Sequence, residues 1–158
     1  MKPTRGEIAV KFDQLMGALG RGLIAGAAGT AAMTVSSTLE AKLRDSGSSS
    51  APADAAGAVL GVEPKDDDGA ARFSTVVHWG YGTGWGVVRG LLGAAGLHGP
   101  TAMTAHWAAV WGSSLAMLPA LDIAPAPWKQ EGREVAVDAF HHLIYAAGTS
   151  AAYAVLDR

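Results

Sequence analysis

Four stretches of this 158-residue chain run for sixteen residues or more without a single Asp, Glu, Lys or Arg. Between Arg21 and Glu40 there are 18 such residues, between Arg72 and Arg89 there are 16, between Arg89 and Asp122 there are 32, and between Asp138 and Asp157 there are 18. A bilayer-spanning helix needs about 20 predominantly apolar residues. The longest window is cut by Gly96-Leu97-His98-Gly99-Pro100, a turn that makes it a helical hairpin. The expected fold is therefore an all-α membrane protein, one polytopic domain over residues 1–158. It is a four-transmembrane-helix antiparallel bundle with helices near 20–40, 73–96, 101–122 and 134–156.

A soluble bundle would carry charged faces at helical spacing, and these segments carry almost none. Charged residues make up only 16% of the chain, against about 25% in typical soluble domains. Ala and Gly outnumber Leu and Ile in the windows, which keeps the mean hydropathy at a modest +0.20. A cleaved signal peptide is a poor account of the first window: a long segment carrying Glu7 and Asp13 precedes it, and three more windows follow. Net charge is −2 with no basic stripe, so nucleic acid is not an expected partner. Cysteine is absent, which excludes disulfides, thiolate metal sites and thiol nucleophiles.

Residues 5–20 place Ile8, Phe12, Leu15 and Leu19 at helical spacing, as an interfacial amphipathic segment or an extension of the first span would. Residues 45–72 form the longest polar stretch, expected as a loop around a short helix near 53–61. Its Asp66-Asp67-Asp68 run lacks the spacing of a calcium loop and is expected to be solvated. The connection 122–134 is stiffened by Pro125 and Pro127.

Residues 78–90, HWGYGTGWGVVRG, hold five glycines, each costing a soluble helix roughly 0.8–1.0 kcal/mol against alanine. On a helix, His78, Gly82, Trp85, Gly86, Arg89 and Gly93 share a face within about 60° of Gly82. Gly82, Gly86 and Gly90 form a ladder. In lipid, helices associate through close backbone approach, which small residues allow. Gly22, Gly26 and Gly29 offer a similar groove on the first span, and Gly148 with Ala152 on the last. The glycines are expected to be a packing surface. GTGWG is not a nucleotide fingerprint, because no strand precedes it and its spacing differs.

Ionisable groups inside a span mark functional candidates. On the last span Glu131, Glu134, Asp138, Tyr145 and Thr149 share a face, with His141 and His142 straddling it. Asp138 and His141 have the i, i+3 spacing of bundle metal sites, but no second such pair exists. Antiparallel order puts His78, Glu134, Asp138, His141, His142 and Tyr145 towards one side as a polar cluster. Arg21, Arg89 and His106 gather towards the other. His78 and His106 should then differ in depth by roughly 20 Å at 1.5 Å per residue. They are not expected to share a metal or haem. If any metal or haem is bound, the candidate ligands are His78, His141 or His142, and Asp138; no cofactor follows from the sequence alone. Arg89, near a helix end, has a headgroup-snorkelling alternative.

Trp79 and Trp128 are expected near one interface and Trp107 near the other, with Trp85 and Trp111 inside the bundle. Lys and Arg divide six to a side, and both termini are placed in the cytoplasm. The motifs GLIAGAAGTAAM (22–33), HWGYGTGWG (78–86) and PAPWKQEGREVAVDAFHHLIY (125–145) resemble those of the YagU-like bacterial inner-membrane family, whose domain is of unknown function. The resemblance covers most of the chain from about residue 17. It implies a helical protein of the bacterial inner membrane and supplies no catalytic residues. This chain is compact and lacks a longer loop associated with some of those relatives.

Three functional expectations follow, none of them enzymatic. The first is passage or sensing of a small solute, ion or proton along a His/Asp/Glu-lined cavity. The second is a structural or assembly role, with a homo-oligomer or a membrane-protein partner alongside the lipid bilayer. The third is a haem- or metal-binding bundle.

Overall fold

Arg5–Arg44 wind into one helix, α1, whose 40 residues extend about 60 Å at 1.5 Å each. The computed structural model describes the backbone of residues 5–45 and 49–158 and the side chains from residue 11 onward. The segment before the first charge-free window is thus an extension of the same helix, with Phe12 and Leu15 exposed. The side chains of Glu7 and Ile8 lie outside the described residues. A short helix α2 (Ala51–Leu60) follows, with Pro52 in its first turn and Gly61 closing it at φ 65°. That left-handed conformation suits glycine, which has no Cβ to clash.

Helix α3 spans Asp67–Ala94 and begins within the aspartate run. The Asp66 carboxylate accepts from the Gly69 N–H at 2.7 Å, and Asp67 and Asp68 occupy the first turn, where the helix dipole favours negative charge. The expected loop therefore ends six residues early: the aspartates are exposed to solvent as expected, but they start a helix. Gly96 (φ 85°) and Gly99 (φ 57°) turn the chain into α4 (Gly99–Ala120), with Pro100 in its first turn. A 3-10 turn at Pro127–Lys129 leads to α5 (Gly132–Leu156). Among the described residues there is no strand, and the chain is an all-α bundle.

Helix α1 packs most closely, against α3 on one side and α5 on the other; α4 rests on α5 and on α3 across from α1. Gly22 and Gly26 of α1 meet Gly86 and Gly90 of α3 backbone to backbone: a Cβ at Gly26 would stand 2.6 Å from the Thr83 carbonyl oxygen. Gly82 lies against Thr30, Gly29 against Tyr145 and Thr149, and Gly148 against Ala32. These pairings set α3 and α5 antiparallel to α1, and the bundle alternates up and down around its axis.

Large apolar side chains face away from this centre. Ile24, Val35, Leu39, Val76, Leu91, Phe140 and Val155 are exposed, while the buried residues are mainly Ala, Gly, Thr, Tyr, His and one Arg. Among the described residues only α1 holds a window that is long and apolar enough to cross a membrane on hydropathy. The other three long helices, rich in Ala, Gly, Trp, Tyr and Thr, fall short of that hydropathy.

Candidate functional site along the bundle axis

Every fourth residue of α5 turns a polar group or ring toward the other helices: His141, Tyr145, Thr149 and Tyr153 are all buried, and Asp157 ends the row. The spacing follows from the helix repeat, since positions four apart stand above one another on one face.

At the end where α1 finishes and α5 begins, His141 Nδ1 and the Ser36 hydroxyl lie 2.8 Å apart. Its other ring nitrogen, buried and without a hydrogen bond, is 3.9 Å from the Glu40 carboxylate. Glu40 in turn accepts from Arg44 at 2.7 Å, and Glu134 stands 3.9 Å from the same guanidinium. His78 on α3 is hydrogen-bonded to the Thr34 hydroxyl at 2.9 Å, and that hydroxyl also donates to the Thr30 carbonyl. Because this hydroxyl's hydrogen is directed at the carbonyl, it accepts from the His78 Nε2–H. Asp138 accepts from the Trp111 indole at 2.9 Å and approaches His142 Nδ1 at 3.3 Å.

The polar cluster expected at this end is thus divided among partners. His78 and His141 are held by different hydroxyls of α1, and Asp138 turns to α4. The candidate metal set of His78, His141 or His142, and Asp138 is not drawn together. No group of three or more His, Asp or Glu residues suited to a metal occurs among the described residues.

Half-way along the bundle, the Tyr145 hydroxyl donates to the Gly82 carbonyl at 2.6 Å. The His106 ring lies 5.5 Å from that phenol ring, centre to centre, and its Nε2 is 3.0 Å from the Trp85 carbonyl oxygen. A carbonyl only accepts, so Nε2 carries the proton, and in the neutral ring Nδ1 is a bare acceptor. That atom is buried with no partner.

Trp85 follows His78 by seven residues, so His106 meets α3 only about 10 Å along from His78. The expected 20 Å separation is corrected, and most of the difference has a plain physical reason. Helix α3 ends at Ala94 and α4 starts at Gly99, each two residues before the boundary read from the sequence.

Towards the far end, Arg89 is only 2% exposed. Its guanidinium carbon lies 4.2 Å over the Tyr153 ring, and Nε donates to Ser150 at 3.3 Å. Arg89 thus points inward, and the snorkelling alternative is set aside. Its Nη1 is buried without a partner among the described residues. Arg21 pairs with Asp157 at 2.9 Å. The expected basic cluster is therefore divided too: Arg21 belongs to the rim, Arg89 and His106 to the interior.

Trp107 stacks on Trp111 at 5.0 Å and donates to the Ala139 carbonyl at 3.1 Å, so it bridges α4 and α5. Trp85 packs edge-on to Tyr81 beside an outward groove. Trp79 is 40% and Trp128 83% exposed.

Thr34, Ser36, Glu40, Ser150, Tyr153 and Asp157 also belong to this site, and sequence reasoning misses them as site residues. Asp157 and Glu40 serve there only as window boundaries, although each bounds a window from which inward-facing residues follow at four-residue steps. The assembled feature is a file of polar side chains along the axis, from Glu40 and His141 through Tyr145 and His106 to Arg89 and Asp157. Comparison of the chain with known protein families, curated proteins and solved structures finds no match.

Proposed function

We propose that this chain is a four-span protein of the bacterial inner membrane in which the axial file passes or senses a small solute, ion or proton. The supporting observation is the inversion of the bundle: titratable and hydroxyl groups fill its axis while large apolar side chains cover its outside. Buried ionisable groups in a membrane are expensive and typically line pathways. His141 and His106 supply imidazoles at two depths, with the Tyr145 phenol next to His106. An imidazole ring can take a proton at one nitrogen and give one up from the other, as a relay needs. Both termini are assigned to the cytoplasm. The YagU-like resemblance is part of this proposal and rests on the motifs alone.

The test is reconstitution into liposomes containing a pH-sensitive dye, with an imposed gradient of protons or of weak acids. Wild type should dissipate the gradient faster than empty vesicles, and Tyr145→Phe or His141→Gln should slow it on the order of tenfold or more with helical content unchanged. Wild-type vesicles as tight as empty ones would contradict the reading.

An assembly role is favoured by a different observation. Gly80 and Gly84 face open space on the outside of α3, beside Tyr81, Trp85 and Val88. Such a small-residue pair lets another helix approach closely. Under this reading a mild-detergent preparation is oligomeric or carries a partner, and Gly84→Leu dissociates it.

A further inference from the structure

Arg89 is a buried cation that touches no carboxylate among the described residues. Asp157, at the same end, is held by Arg21 at 2.9 Å. Two guanidiniums thus stand against one carboxylate. The face of a tyrosine and one serine hydroxyl attract Arg89 without neutralising it. A buried charge that only shares a distant counter-charge is unfavourable, and more so where lipid surrounds the bundle.

The His106 ring meets α3 at the Trp85 carbonyl, one helical turn before Arg89 on the same helix. The two side chains offer complementary vacant valences. Among the described residues Arg89 Nη1–H has nothing to donate to, and His106 Nδ1 has nothing to accept from. Both residues are more than nine-tenths buried, at 2% and 0% exposure. A halide would satisfy the first and meet the lone pair of the second. A neutral molecule would bring Arg89 no counter-charge of its own.

We propose that Arg89 and His106 form a binding site for one small, singly charged oxyanion that carries a hydroxyl group, as bicarbonate does. An oxygen bearing the charge accepts from Arg89 Nη1, and the anion's own O–H donates to His106 Nδ1. The Trp85 carbonyl holds the imidazole in the tautomer this requires. The assignment rests on the reading of the axis as a solute path, because that path is how the anion reaches a buried site.

Nitrate is the discriminating control, since it has the planar shape and single charge of bicarbonate but no hydroxyl. The measurement is the unfolding midpoint of the purified full-length protein in detergent, at constant pH and ionic strength, with sodium bicarbonate, nitrate, chloride or gluconate. A ligand that binds only the folded state raises the midpoint with its concentration. Bicarbonate should stabilise wild type saturably, with an apparent affinity about tenfold or more above nitrate and chloride, because a site built around a hydroxyl rejects an analogue lacking it. Arg89→Gln should remove the effect, and His106→Phe should remove the preference over nitrate. Equal effects of all four salts on wild type would overturn the site, and nitrate equal to bicarbonate would overturn the ligand class. Both of these results are read on wild type, so neither needs a variant to fold. Binding without flux in liposomes would count against the transport reading and leave the anion site standing; flux without binding would do the reverse.

Discussion

Tyr145 illustrates how single residues couple the helices. Its hydroxyl reaches the Gly82 carbonyl at 2.6 Å because glycine leaves that backbone uncovered. Tyr145→Phe removes one hydrogen bond without opening a cavity and should cost about 0.5–1.5 kcal/mol of stability, read by denaturant unfolding in detergent micelles. Glycine position matters more than glycine count. Gly86→Ala would drive a methyl into the Gly22 carbonyl and the Gly26 backbone, neither of which can yield without moving α1. It should cost about 3 kcal/mol or prevent folding. Gly80→Ala, nearly two turns away with open space around it, should be neutral or gain a few tenths up to about 1 kcal/mol. Comparable losses at both positions in the same unfolding assay would contradict the packing described.

Among the elements, α1 holds the bundle together: its glycines and small residues meet α3 on one side and α5 on the other. Much of this arrangement is legible in the sequence. Gly22, Gly26, Gly82, Gly86 and Gly90 can be put on facing surfaces by their four-residue steps, and Asp138, His141, Tyr145 and Thr149 by the same periodicity. Other parts are not. Thr34 and Ser36 cannot be told from the many membrane Ser and Thr residues that bond only their own backbone, as Thr30 does to the Gly26 carbonyl at 2.8 Å. Tyr153 lies in an apolar run and reads as a core or lipid-facing aromatic until Arg89 is seen beneath it. Counting from helix ends misplaces His106 in depth, because two ends shift by two residues each and such errors add. The start of α3 carries its own test. Asp66→Ala should cost about 1 kcal/mol and raise amide exchange only in the first turn of α3, since the cap bond to Gly69 is local.

On the scale of the whole molecule, the inverted distribution of polarity is what the four-span proposal rests on. Leu23, Ile24, Val35, Leu39, Val76, Leu91, Phe140, Leu143 and Val155 are 39–70% exposed on the outside of the bundle. Helix α4 has no charged residue and no segregated polar face, which suits a helix with lipid on one side and the bundle on the other. The four-span reading can be tested cleanly because the chain has no cysteine of its own. Single cysteines at Ser49, His98 and Gln130 report the three connections, and a membrane-impermeant maleimide applied to sealed vesicles of known orientation reads which side each occupies. Ser49→Cys and Gln130→Cys should label from one side and His98→Cys only from the other; labelling of all three from the same side would contradict a bundle that crosses the membrane four times.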